Sequence, residues 1–133
     1  MHTKGVFPLA FALTLAACRG DALPDRLLQW STGRQDHAVV EGVNVSVTIN
    51  SVGVSGFFPM PTPCYNLEPD LDGDRDLLLT ITANGTGGAC VTMPAYFYYI
   101  ATMGTFKAGT YNLTIKHRGR GERIVYDSSF TIR

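Results

Sequence analysis

Alternation of apolar and polar residues with a period of two is the sequence feature that most limits this fold. In residues 43–49, valine or isoleucine takes every second position, and asparagine, serine or threonine takes the positions between. The same pattern recurs in residues 111–116, and apolar residues and threonine fill residues 77–83. Because successive side chains of a strand point to opposite faces, these segments predict strands with one buried and one solvated face.

Glycine and proline separate the predicted strands. The chain has 14 glycines and 7 prolines, and turn signals recur about every ten residues, which favours a sandwich or barrel. Pro59, Pro61, Pro63 and Pro69 predict an irregular segment from Phe57 to Pro69, since proline cannot donate a ladder hydrogen bond. We therefore expect an all-β fold, a single antiparallel β-sandwich of about seven strands.

One segment near the end of the chain carries a resemblance. Ala108-Gly109-Thr110-Tyr111-Asn112-Leu113 resembles the Gly-x-Tyr entry to the penultimate strand of immunoglobulin-like and fibronectin-like bacterial domains. In those domains the tyrosine often forms a corner by bonding back to upstream backbone. The resemblance covers roughly the last 25 residues. It implies an immunoglobulin-like sandwich and carries no activity.

The first 18 residues have the features of an export signal. Lys4 precedes a short apolar run that ends in Leu15-Ala16-Ala17-Cys18. This ending resembles the lipobox of bacterial lipoproteins, which implies cleavage before Cys18 and attachment of lipid to its thiol. The alternative is an ordinary signal peptide that happens to have a cysteine near its end. Arg19 follows the cysteine in place of aspartate, which by resemblance to enterobacterial sorting implies the outer membrane.

The lipobox also sets the expected organisation of the chain. Residues 1–17 would be the signal peptide, residues 18–38 a lipid-anchored tether, and residues 39–133 the sandwich. Within the tether, the apolar residues Leu27, Leu28 and Trp30 are expected to dock on the edge of the domain, since large apolar groups rarely stay in water.

With Cys18 lipidated, the odd count of three cysteines is explained. Cys64 and Cys90 remain as a pair, and an oxidising envelope compartment favours a disulfide between them. A redox pair is the alternative, but the spacing is unlike Cys-x-x-Cys. The bridge would pin the proline-rich segment to the glycine-rich turn at residues 84–88.

An aromatic strand supplies the first candidate binding surface. Period two sends Tyr96, Tyr98 and Ile100 to one face and Phe97 and Tyr99 to the other, and one set must be core. The second set is either covered or exposed to a partner. We take Phe97 and Tyr99 as the candidate surface.

Two charged segments are further candidates. Lys116, Arg118 and Arg120 belong to a basic hairpin that would face an acidic partner or anionic lipid; the alternative is a solvated loop. The alternating carboxylates of residues 70–76 resemble a calcium loop, but the sixth and twelfth positions of that loop hold Arg75 and Ile81. A solvated turn is therefore preferred to a metal site. The aspartates concerned are Asp70, Asp72, Asp74 and Asp76.

Composition and motifs argue against two classes of function, nucleic-acid binding and nucleophilic catalysis. The formal net charge is zero, whereas nucleic-acid binders usually need a basic excess. No nucleophile motif of the Gly-x-Ser-x-Gly type occurs.

We expect a non-catalytic envelope lipoprotein without a cofactor, held to the membrane by its lipid, that binds a protein or glycan partner. A structural or assembly protein without a small ligand is one alternative. A protease-inhibitor-like sandwich presenting the Phe57–Cys64 loop is another. The sequence does not indicate an oligomeric state.

Overall fold

The structure is a computed structural model, and it describes residues 26–133. These residues form two four-stranded sheets, sheet I in the order β1-β6-β3-β2 and sheet II in the order β4-β5-β7-β8. No helix in residues 26–133 is long and apolar enough to cross a membrane. The strands are β1 Leu27–Gln35, β2 Gly42–Val47, β3 Ser51–Met60, β4 Tyr65–Asp72, β5 Asp76–Gly85, β6 Ala95–Gly104, β7 Gly109–Arg118 and β8 Glu122–Ile132.

The two sheets pack face to face around one apolar core, which confirms the predicted all-β sandwich. Every second side chain of β3, β5, β6 and β7 is buried there. Among the described strands, β5 and β7 pair in parallel and all other neighbours are antiparallel. The parallel pair arises because β6, in the opposite sheet, carries the chain back before β7 begins.

Consecutive strands run in opposite directions, so their connections alternate between two ends of the sandwich. The end that we call the N-terminal end holds Arg26 and the connections 48–50, 73–75 and 105–108. The opposite end, called the far end, holds the connections 36–41, 61–64, 86–94 and 119–121.

The domain starts earlier than the predicted boundary at residue 39. Residues Leu27–Gln35 form β1, which pairs with β6 from Leu27↔Met103 to Gln35↔Tyr96. Leu27 is buried and Trp30 packs against the core. The predicted docking on the domain edge is therefore found for Leu27 and Trp30 but not for Leu28, which is 54% exposed. The docking extends to a full strand, which covers an edge of β6 that would otherwise be unpaired.

The irregular segment predicted for Phe57–Pro69 is wrong, since β3 and β4 occupy most of it. Pro59 lies in β3 beyond Gly42↔Phe57, where pairing with β2 ends. Pro69 lies in β4, at the edge of sheet II. A missing N–H is tolerated where a strand lacks a neighbour on one side. The irregular part shrinks to the connection 61–64.

Tyr111 confirms the corner that the immunoglobulin-like resemblance implied. Its hydroxyl donates to the carbonyl oxygen of Lys107 at 2.7 Å, and its ring packs on Phe106 and Phe130 with centroids 5.0 and 5.2 Å apart. The bond joins the start of β7 to the connection before it.

The predicted disulfide is also present. Cys64 and Cys90 are bridged, with their Cα atoms 6.0 Å apart, and the amide of Thr86 donates to the carbonyl oxygen of Cys64 at 3.1 Å. The bridge ties the start of β4 to the connection between β5 and β6, so it fixes the far end.

Replacing both bridged cysteines, as Cys64→Ser/Cys90→Ser, should lower the free energy of unfolding by about 3–4 kcal/mol, because the unfolded chain regains the entropy of the closed loop. Urea denaturation measures this loss, and wild-type protein in reductant should lose a similar amount. An unchanged midpoint in both samples would show that the bridge does not stabilise the domain.

Candidate binding face

The outer faces of the two sheets differ sharply in charge. The outer face of sheet II carries eight charged side chains, namely Glu68, Asp70, Asp72, Asp76, Lys116, Arg118, Glu122 and Asp127. The outer face of sheet I, as far as the structure describes it, carries none. Its members are Gln29, Ser31, Gly33, Gln35, Gly42, Asn44, Ser46, Ser51, Gly53, Ser55, Phe57, Pro59, Tyr96, Tyr98, Ile100, Thr102 and Gly104.

Apolar side chains cluster along two neighbouring strands of this uncharged face. Phe57 pairs with Tyr98 and Pro59 with Tyr96, and Ile100 continues the row on β6. Phe57 is 36% exposed and Ile100 43% exposed, while Tyr96 and Tyr98 are half-buried. We call these five residues the aromatic ridge. Exposed aromatic rings present a large contact area at little cost in entropy.

The structure places Phe97 and Tyr99 in the core, so the prediction that they form a binding surface is wrong. Both are buried on the inner face of β6, which lies between β1 and β3 in sheet I. Gly56 makes room for this, because a Cβ atom there would collide with the ring of Tyr99. The outward set is therefore Tyr96, Tyr98 and Ile100, and the ring of Tyr98 lies over Gly33.

A buried polar network holds Tyr99 in this orientation. Its hydroxyl lies 2.8 Å from Nε2 of His117, and Nδ1 of His117 lies 2.7 Å from a carboxylate oxygen of Glu41. Arg123 donates to both oxygens of that carboxylate at 2.8 Å. His117 is wholly buried and stacks on Phe58 with centroids 4.4 Å apart. The network thus links sheet I, sheet II and the connection before β2.

The partners of His117 fix its protonation state. Burial alone would raise the pKa of Glu41, but the hydrogen bonds from Arg123 and His117 together outweigh it and hold this pKa below its usual value of 4.5. The carboxylate is therefore ionised and only accepts. Nδ1 must then carry a proton. Burial lowers the pKa of His117 against the opposing effect of Glu41, so the imidazole is neutral and Nε2 accepts from Tyr99. Burial likewise raises the pKa of Tyr99, which keeps its hydroxyl protonated.

The basic hairpin lies on the opposite side of the sandwich from the aromatic ridge. Lys116 and Arg118 are on the outer face of sheet II, and Glu122 pairs with them at 3.5 and 2.8 Å. Arg120 is exposed in the connection 119–121. The structure therefore does not join the predicted basic residues and the aromatic residues in one site.

The four aspartates are separated by a turn at Gly73, whose φ is +96°. Asp70 and Asp72 lie on β4. Asp74 accepts from Arg26 at 3.1 Å, and Asp76 accepts from Asn112 at 2.7 Å. Residues 26–133 contain no group of three or more His, Cys, Asp or Glu side chains placed to hold a metal ion. Cys18, the predicted lipidation site, lies outside the described residues.

A groove of about 540 Å³ at the far end continues from the aromatic ridge. Tyr96 belongs to both, and Pro63 and Met93 line the groove close to the disulfide in sequence. Its charged residues are Arg34 and Asp36, one of each sign. The ridge and the groove together form the candidate binding face.

No protein-family model, no curated protein and no solved structure matches this chain.

Protonation of His117 should make the stability of the domain depend on pH. The unfolded chain takes up this proton near pH 6.5, while the folded chain does so only at lower pH because burial lowers the pKa of His117. The stability contributed by neutral His117 is therefore complete above pH 6.5 and is lost as the pH falls towards 5, by at most about 1.4 kcal/mol per pH unit.

Denaturant unfolding from pH 8 to 5 measures this decline. His117→Gln should be about 1–3 kcal/mol less stable at pH 7.5, because it disturbs the bonds to Tyr99 and Glu41, and its stability should be flat over this range. His37→Gln removes an exposed histidine and should keep the wild-type decline. If His117→Gln keeps that decline as well, His117 is not its source.

Proposed function

We propose that this chain is a non-catalytic, lipid-anchored binding module of the bacterial cell envelope, and that it contacts a partner through the outer face of sheet I. The observation that carries the proposal is the contrast between the two outer faces, since the outward-facing aromatic residues Phe57, Tyr96 and Tyr98 lie on the face that lacks charge. The lipid anchor is supported by the sequence Leu15-Ala16-Ala17-Cys18.

An uncharged aromatic face suits association with a partner, because no charged side chain on it has to be desolvated. The central part of a protein interface is depleted of charged residues and enriched in tyrosine and phenylalanine. Ser31, Asn44 and Ser55 lie on the same face and offer hydroxyl and amide groups for hydrogen bonds. The combination of tyrosine with serine, asparagine and glycine is also typical of antibody binding loops.

Contacts within sheet I and with the core hold the strands of this face in place, which lowers the entropic cost of binding. Tyr98 packs over Gly33, and Tyr99, next to it, is fixed by His117 and by the ring of Trp30, whose centroid is 5.5 Å away. The backbone that bears Tyr96 and Tyr98 is therefore fixed, and the ring of Tyr98 is held against Gly33.

The geometry of β3 argues against the protease-inhibitor alternative. It needed a projecting loop from Phe57 to Cys64, but Phe57–Met60 belong to β3 and pair with β6. The connection that remains, 61–64, is short. A structural or assembly role without a small ligand stays as the second candidate, and the cross-linking experiment below separates it from binding.

The anchor is tested by labelling growing cells with radioactive palmitate. The wild-type chain should carry label and Cys18→Ala should not, since the thiol of Cys18 is the proposed acceptor. Unlabelled wild-type chain would overturn the anchor. Cys64→Ser/Cys90→Ser should remain labelled, which controls for an indirect effect of removing cysteines.

The binding face is tested by placing a photo-crosslinking residue at Tyr96 or at Phe57 in cells. Matched controls carry it at Thr114 or Asp127, on the outer face of sheet II. We expect adducts from the sheet I positions only, with a discrete band for a protein partner and a broad band for a glycan. Adducts from sheet II alone would overturn the assignment of the face, and no adduct at any position would favour the structural role.

A further inference from the structure

The N-terminal end of the sandwich presents an isoleucine to solvent on a firmly bonded turn. Ile49 is 82% exposed in the connection 48–50. The amide of Thr48 donates to the Ser51 carbonyl at 2.8 Å, and the two hydroxyls of these residues lie 2.6 Å apart. The Asn50 carbonyl also accepts from the amide of Phe106 at 2.9 Å. The turn therefore cannot fold Ile49 back onto the domain without breaking these bonds.

A second apolar side chain is exposed at the same end. The pairing of β1 with β6 shifts register between Leu27 and Gln29, and Leu28, at this irregularity, is 54% exposed. A Cβ atom on Gly104, at the end of β6, would lie 3.3 Å from a methyl group of Leu28 and 3.1 Å from Ser51, which follows the Ile49 turn. Leu28 is thus a near neighbour of that turn.

The connection next to this turn helps to line a positively charged concavity of about 270 Å³. Its charged residues are Arg26, Arg75, Lys107 and Asp74, so three cations and one carboxylate line it, while Asp72 and Asp76 lie beside it at the ends of β4 and β5. Asp74 is already engaged by Arg26, which donates to its carbonyl at 2.8 Å and to its carboxylate at 3.1 Å. Arg75 is held over the ring of Tyr111, 4.9 Å from its centroid.

The position of the chain end brings this surface to the membrane. Arg26 lies at the N-terminal end of the sandwich, eight residues after Cys18. Eight residues span at most about 28 Å when fully extended. A ten-residue strand is about 33 Å long, so an inverted domain standing with its far end on the bilayer would place the N-terminal end beyond the reach of these eight residues.

We propose that the N-terminal end of the sandwich rests on an anionic membrane surface, with Ile49 and Leu28 in the headgroup region and with Arg75 and Lys107 at lipid phosphates. The inference rests on the proposed lipid anchor at Cys18. This contact would orient the strands roughly along the bilayer normal. The aromatic ridge would then lie on the side of the domain, and the groove at the far end would point away from the bilayer.

The test uses the purified lipidated chain in vesicles of phosphatidylethanolamine and phosphatidylglycerol. A single cysteine is introduced as Ile49→Cys and labelled, without reductant, with a fluorophore sensitive to polarity. The matched control is Val40→Cys, since Val40 is 86% exposed at the far end. We expect a blue shift, a several-fold rise in emission and protection from an aqueous quencher at position 49, and none of these at position 40.

Charge variants test the phosphate contact separately. Arg75→Glu/Lys107→Glu should reduce the shift at position 49, while Arg34→Glu/Arg120→Glu, which makes the same charge change at the far end, should not.

The outcomes separate this inference from the proposed anchor. If the chain floats with the vesicles but the labels at positions 49 and 40 respond alike, the anchor stands and the contact is overturned. If the charge variants leave the shift unchanged, the phosphate contact is overturned. If the chain does not float with the vesicles, the anchor is overturned and this inference with it.

Discussion

The two hydrogen bonds of His117 are the interactions on which the arrangement of both sheets depends. The imidazole lies between sheets I and II without access to water, where an unpaired polar group costs about 1–3 kcal/mol. Tyr99 from sheet I and Glu41 from the connection before β2 satisfy its two nitrogens. Arg123 from β8 holds the carboxylate in turn. The network therefore joins β2 and β8, the edge strands on one side of the sandwich, as well as the two layers of the core.

This packing decides which aromatic residues reach solvent. Once Tyr99 turns inward to His117, the pleat of β6 forces Tyr96, Tyr98 and Ile100 outward, next to Phe57 on β3. The charges of the domain collect on the other outer face and at the two ends, so the aromatic ridge lies in uncharged surroundings. The proposed binding face is thus a consequence of how the core satisfies one buried histidine.

Much of this fold could be predicted from the sequence, because β2, β5, β7 and β8 show plain alternation or apolar runs. β3 was hidden because its inward positions are Val52, Val54, Gly56, Phe58 and Met60, and the glycine interrupts the apolar pattern to admit Tyr99. β4 was hidden by Pro69, which an edge strand tolerates. The orientation of β6 could not be decided, since both of its faces are aromatic. The polar network joins residues far apart in sequence, although His117 does continue the inward series Tyr111, Leu113 and Ile115 on β7.

The claim that Tyr99 faces inward onto a neutral His117 is tested most directly by nitrogen-15 NMR of the histidine side chains at pH 7. The structure predicts one histidine, absent from the spectrum of His117→Gln, with a neutral ring, a proton on Nδ1 and an unprotonated Nε2. A neutral His117 that carries its proton on Nε2 would contradict the bond to Glu41 and with it the network, and a doubly protonated His117 would contradict the direction assigned to the bond with Tyr99.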